Sequence, residues 1–252
     1  VKGVGIALGL VALAIVISRR QNLRLEKELV VATGRALVQL TVLASIITVV
    51  FSEFGLASIL LLLMFGAASW TASGRLRGIP GALPVAAISI AVSSLIALVV
   101  LFGAGAFDFT ARNLIPIAGM LFANSMTASS LTGARLRDEL MDKVLEVEAR
   151  LALGIHATEA LQPYKRRAAI AGLIPIIDST KNVGLVGVPG AFVGMVLAGA
   201  SPRQAAEIQL LVLFMLLGTA AVTGITTTFL VGRAFVGPGE RLVLPAAQPS
   251  AE

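Results

Sequence analysis

The sequence predicts an all-α, polytopic membrane protein: a bundle of about seven transmembrane helices. Three observations carry that reading. Hydrophobic residues make up 57% of the 252 and charged residues 13%, and mean hydropathy is +0.92, whereas soluble domains carry about 25% charged residues. The apolar residues fall in long continuous windows, as a helix crossing roughly 30 Å of hydrocarbon requires, and not in the short alternating strands of a barrel. Lys and Arg gather in alternate loops. By the positive-inside rule this puts the N-terminus outside and the C-terminus in the cytoplasm.

The first window, 3–19, resembles a signal peptide in length, but no small-residue cleavage site follows it. Arg19, Arg20, Arg24 and Lys27 do follow it, so it reads as a retained first span with its basic end inside. Further spans fall at 36–52, 55–72, 82–103, 113–134 and 206–232. Ser201, Pro202 and Gln204 read as the capped N-terminus of the last one. Gly5-x-x-x-Gly9, and Gly190-x-x-x-Gly194 followed by Ala198, have the spacing of closely packed membrane helices.

The window 168–199 is too long for one crossing, since a continuous helix of that length rises about 48 Å. Pro175, Gly184, Gly187 and Pro189-Gly190 are the candidate breaks. The length argument puts 165–180 near the cytoplasmic face and the span itself at 182–199. A helix broken at membrane depth is the alternative. Residues 1–236 then form a single membrane domain, and 237–252, rich in proline, a loose cytoplasmic tail.

Residues 135–167 interrupt this apolar pattern. Leu140, Val144, Val147 and Leu151 lie on one helical face, widened by Met141 and Leu145. Glu139 with Lys143 and Glu146 with Arg150 are acidic-first i,i+4 pairs. Gly154 stands where a glycine ends a helix, Thr158 where a side chain caps the next, and Pro163 limits that second helix. The fifth span therefore continues into the cytoplasm, turns at Gly154 and forms a second short helix. A connector this long is a candidate docking surface.

Within it, "EARLALGIHATEAL" resembles the Glu-Ala-Ala...Gly loop by which permease subunits of ATP-binding-cassette (ABC) transporters dock on their ATPase. Glu148, Ala149 and Gly154 match that motif, and Arg150 replaces its second alanine. "GRALVQL", "IPIAGMLFANSMTASSL", "LIPIIDSTKNVGLVGVPGAFVGMVLAG" and "FMLLGTAAVTGITTTFLV" are similar to the FetB-type iron-export permease family, which is related to plant aluminium-tolerance permeases. The resemblance implies a multi-pass permease of a bacterial inner or plasma membrane, a homodimer that works with a separate ABC ATPase. Glu148, Ala149, Gly154 and Thr158 would couple it to that ATPase.

The chain has no G-x-x-x-x-G-K-[ST] run, so ATP and Mg would sit on the partner and no cofactor on this chain. It is not expected to be an enzyme or to bind nucleic acid. There is no cysteine, and the one histidine, His156, lies in the connector without a nucleophile beside it. A metal-ligand set is not identifiable. Met120, Asn124, Asp178 and Lys181 are the candidate pathway residues, with core filling or interhelical bonding as the plainer role of the first two. An ATPase-independent channel or secondary transporter is the alternative function, in which 135–167 would be only a linker.

Overall fold

The structure, a computed structural model, describes residues 2–243. Ten α-helices account for most of them, with two isolated β-bridges and no strand among the described residues. The chain divides into two compact units, Val1–Ala57 and Ser58–Glu252.

The first unit is a helical hairpin of α1 (Lys2–Arg20) and α2 (Glu26–Ser52). Its turn passes through Asn22 and Arg24, both left-handed, and Ser18 holds it closed. The Ser18 hydroxyl accepts from Leu25 N at 3.1 Å and donates to Glu26 Oε1 at 3.3 Å. Leu10, Val16, Val38 and Leu40 are among its many exposed apolar side chains, the surface expected of helices solvated by lipid.

The second unit contains α3 (Phe54–Arg75) from Ser58 onward, α4 (Ala82–Gly103), α5 (Ala111–Asp142), α6 (Val144–Ala152), α7 (Ala157–Ala160), α8 (Gln162–Lys181), α9 (Gly190–Leu197) and α10 (Pro202–Ala234). Ser201 caps α10 through a full capping box with Gln204, as its sequence predicts. Contacts fix the helix directions. Ser93 meets Ser125, Asn124 meets Leu216 and Thr227 meets Ser129, while Gly119 faces Met64 and Gly133 faces Leu76. Helices α3, α5 and α10 therefore run one way and α4 the other. Among the described residues, six helices, α1 to α5 and α10, are long and apolar enough to cross a membrane.

The seventh expected span is not a continuous helix. Residues 182–189 are non-helical, and α9 has eight residues, a rise of about 12 Å against roughly 30 Å of hydrocarbon. Nor does 165–180 lie flat across the platform end. Lys165 approaches Gly232, and Gly172 fits directly against Thr132, so α8 climbs antiparallel to α5 and α10 with its Tyr164, Ala168 and Gly172 face packed and its opposite face exposed. It ends with Ser179 sharing a cavity of about 170 Å³ with Asn124, Thr127 and Ala220. Those residues are near the middle of the apolar stretches of α5 and α10, so the passage is a helix broken at mid-depth. Pro175 stays inside α8. The break comes instead at Asn182, where Gly184, at φ +80°, closes a tight loop through its N–H to Gly187 O at 2.9 Å, and Pro189 starts α9.

The small-residue motifs do not pack within the chain: a Cβ at Gly5, Gly9, Gly190 or Gly194 would meet open space. Two clusters of buried apolar side chains stand out among the described residues. One lies at the end of the bundle that carries Arg75, Arg135 and Arg233, and joins Leu76, Leu136, Leu140, Val147, Tyr164 and Phe235. The other joins Ile117, Leu121 and Met215 toward the opposite end. Between them lies a seam of hydroxyls that includes Ser89, Ser93, Ser125, Ser129, Thr132, Thr223 and Thr227, each at most 1% exposed.

Candidate functional site

The connector is ordered as the sequence predicts in outline. Helix α5 continues well past its apolar stretch, α6 follows after a single kink at Lys143, and Leu140 and Val147 are fully buried against Leu161, Tyr164 and Phe235. Leu145 is 82% exposed and Met141 is exposed as well, so they do not widen the buried stripe. Gly154 adopts φ +82°, its N–H bonding Leu151 O at 3.0 Å and that of Ile155 bonding Arg150 O at 3.2 Å. This pair of bonds is a Schellman ending, which favours glycine. Glu148 and Ala149 are exposed on α6, and Leu153, also exposed, lies beside the turn.

Several local details differ from the sequence reading. Thr158 lies inside α7 and His156 is its N-cap residue, without a side-chain cap of its own. The capping oxygen comes from Glu240, whose Oε2 accepts from Ala157 N at 3.1 Å while Oε1 accepts from His156 Nδ1 at 3.2 Å. Those two donors hold the Glu240 carboxyl below its ordinary value, His156 contributing most. α7 ends at Ala160, ahead of Pro163, which sits in the first turn of α8. Glu139 does not pair with Lys143. It is nearly buried between Arg135 at 3.1 Å and Arg167 at 2.8 Å, and the Arg167 guanidinium also lies 4.9 Å over the Tyr164 ring. Glu146 and Arg150 do pair, at 3.0 Å.

The described part of the tail is not loose. Gly237 N bonds Arg241 O at 2.8 Å and Val243 N bonds Phe235 O at 2.8 Å, making a small hairpin whose tip carries Glu240. Residues 244–252 of the expected loose tail lie outside the described residues. Sequence reasoning missed Glu240, Arg167 and Tyr164 because their partners are far away in the chain. The hairpin and α6 line a cavity of about 700 Å³ that includes Glu148, Leu151, Ala152 and Arg241.

The candidate pathway residues separate into two groups. Asn124 Nδ2 donates to Leu216 O at 2.9 Å and Met120 packs beside Ile117, Leu121 and Met215, so both bind the bundle together. Asp178 and Lys181 lie on the last turn of α8, 3.8 Å apart, with side chains 57% and 70% exposed. They stand at mid-depth and not at the boundary that the length argument favours. Exposure there is costly: a charge at the centre of a bilayer costs about 2.5–3.5 kcal/mol on insertion scales, so such groups face protein or water. The α8 carbonyl end adds partial negative charge at the same place.

The hydroxyl seam was not anticipated. Ser93 Oγ and Ser125 Oγ are 3.0 Å apart and Thr227 Oγ1 donates to Ser129 Oγ at 3.1 Å, tying α4 to α5 and α5 to α10. Ser89 Oγ, Ser94 Oγ and Thr132 Oγ1 make no hydrogen bond among the described residues. No group of three His, Cys, Asp or Glu side chains gathers among the described residues. A metal ion bound by a single copy would find carbonyls, hydroxyls and isolated carboxylates there.

Fold and apolar surface define a multi-pass membrane protein, with a discontinuous helix and an ordered polar platform at one end. The chain belongs to the UPF0014 family, described as an uncharacterised protein family, whose model matches residues 1–236. It is 39% identical over 226 residues to the protein ALUMINUM SENSITIVE 3 of Arabidopsis thaliana, covering 89% of this chain and 83% of that one. It is 37% identical over 231 residues to the UPF0014 membrane protein STAR2 of Oryza sativa subsp. japonica, covering 91% and 81%. It is also 35% identical over 245 residues to the probable iron export permease protein FetB of Escherichia coli, covering 96% and 95%. No solved structure matches it.

Proposed function

We propose that the chain is the membrane permease subunit of an ABC exporter for iron or a related metal species. It works as a homodimer, with ATP and Mg held by a separate ATPase. The observation that carries this reading is the α6–turn–α7 platform. It is ordered and surface-exposed, and its end is set by the glycine that the ABC-permease resemblance calls for. Glu148, Ala149, Gly154 and Thr158 lie on it. The name of the Escherichia coli relative supports the cargo.

The charge distribution supports the orientation. Arg75, Arg77, Arg135, Arg137, Lys165 and Arg233 gather at the platform end, with Arg112 and Arg203 at the other, which supports a cytoplasmic platform. A cysteine introduced at Leu153 is then labelled by impermeant reagents from the cytoplasmic side alone, and one at Ser52 from outside alone.

Asp178 and Lys181 support the dimer, because a second copy would cover a charged turn that lipid cannot solvate. The break at Asn182 also supports a second reading, a secondary transporter, since discontinuous helices with carbonyl ends at mid-depth serve cations there. Reconstitution separates the two. Permease and ATPase together in vesicles should move ferrous iron away from the platform face only when ATP is supplied. Sustained flux by the permease alone, driven by an ion gradient, would favour the second reading.

A further inference from the structure

A cavity of about 400 Å³ at the platform end belongs neither to the exposed α6 surface nor to the mid-depth break. Thr158 of α7, Lys165 of α8, Phe229 and Arg233 of α10, and Val236 and Glu240 of the hairpin are among its lining residues. Lys165 reaches it by crossing α10 at Gly232, where a Cβ would overlap its side chain. Neither Lys165 nor Arg233 makes an ion pair or side-chain hydrogen bond among the described residues. The one carboxylate, Glu240, is occupied by His156 and Ala157 N. Lys165 and Arg233 outnumber the one carboxylate among the described lining residues, so the hollow carries a net positive charge.

Its position says what the cations meet. The apolar stretch of α10 ends at Gly232 and Arg233, so the hollow lies where a bilayer's headgroup layer begins. On its apolar side the wall is Phe229, 56% exposed, and Ile225, one helical turn further along α10, is 65% exposed. A ligand that places a phosphate anion by Lys165 and Arg233 and an acyl chain along Phe229 and Ile225 matches both halves. Basic pockets at the ends of membrane helices bind anionic headgroups in this way.

We infer that this cavity is a binding site for the phosphate headgroup of an anionic phospholipid, from the leaflet that surrounds the platform end. The net positive charge of the hollow selects an anionic lipid over a zwitterionic one, because two cations face a single carboxylate there. Bound there, the lipid touches α7, the start of α8 and the end of α10 together, and so links the bilayer to the platform. The inference rests on membrane residence and not on the ATPase.

Native mass spectrometry of the purified full chain tests it, with phosphatidylglycerol, phosphatidylcholine and inorganic phosphate as probes. The wild type should retain phosphatidylglycerol in preference to phosphatidylcholine. Lys165→Gln and Arg233→Gln should each weaken retention about fivefold and the double variant about 25-fold, as about 1 kcal/mol per cation near the surface implies. Arg203→Gln, at the opposite end, should change nothing. Gly232→Ala keeps both charges yet displaces the Lys165 side chain, and should weaken retention too. Arg233 is exposed, so Arg233→Gln keeps the test valid if a Lys165 variant fails to fold. Unchanged phosphatidylglycerol retention in Arg233→Gln overturns the site. Equal retention of phosphatidylcholine overturns its selectivity, and displacement of the lipid by millimolar inorganic phosphate overturns the lipid assignment in favour of a soluble anion.

Discussion

The platform end of the second unit and its mid-depth break are built from similar residues and treat them in opposite ways. At the platform, Glu139 has two arginines, Glu240 has two donors and Gly154 ends α6 with both Schellman bonds. At the break, Asp178 and Lys181 are exposed, α9 buries none of its residues, and Leu185 and Val186 are 89% and 82% exposed. One region is complete within a single chain. The other makes physical sense only when something else covers it, because polar backbone and charge at bilayer depth need protein or water around them.

The strongest way to break that comparison is to overfill each region. Gly172 on the packed part of α8 has no room for a side chain, since a Cβ overlaps Thr132. Gly172→Val should cost about 3 kcal/mol, the upper end of ordinary overpacking, and lower the thermal unfolding midpoint in detergent accordingly. Gly194→Val on α9 points into open space and should stay within about 0.5 kcal/mol. Equal losses would mean that α9 is packed in the purified protein, and the contrast between the two regions would disappear.

Next in size is Gly154→Leu. The left-handed conformation at φ +82° costs a non-glycine residue about 1–2 kcal/mol, and no neighbour lies close enough to add a clash. Under the proposed function, the expected result is a folded protein that no longer binds or stimulates the partner ATPase normally. Normal stimulation would remove the turn from the coupling assignment while leaving the fold intact.

Asp178 tests the open region. If it draws cations to the break, Asp178→Asn should slow vesicle transport at least about tenfold, the low end of what a focused field contributes to encounter. Exchanging the pair, Asp178→Lys with Lys181→Asp, should slow it equally. A pair that only fixes the helix end would tolerate the exchange, and full activity of Asp178→Asn would end the entrance hypothesis.

What could be read from the sequence follows the range of the interaction. Six of the seven apolar windows, the Ser201 capping box and the Gly154 stop are set by neighbours within a few residues, and these appear where the sequence puts them. The break itself was legible too, as a glycine- and proline-rich run from 184 to 190. Its depth was not, because that depends on Ser179 meeting Asn124 and Ala220 across helices. The same holds for Glu139, whose partner Arg167 is 28 residues on, and for the oxygen that caps α7, 83 residues away in Glu240. Thr158 was the natural choice of cap only while local candidates were in view.

The smallest effect belongs to that long-range cap, and it sharpens the platform side of the comparison. Glu240 is exposed, so removing it should leave global unfolding nearly unchanged and loosen only the start of α7. Hydrogen-exchange protection at the Ala157 amide is the direct readout. It should fall in Glu240→Ala, which loses both oxygens, and fall less in Glu240→Gln, which keeps one acceptor. The pH dependence has a definite sign. His156 and Ala157 N favour the ionised carboxyl, so its folded pKa lies below the unfolded one. The stabilisation is therefore complete above the ordinary carboxylate value and is lost as pH falls through the lower, folded value. Protection at Ala157 in the wild type should decline across that acidic window, whereas in Glu240→Gln it should be flat. A wild type as flat as the glutamine variant, or Glu240→Ala with undiminished protection, would mean that the hairpin rests beside α7 without holding it.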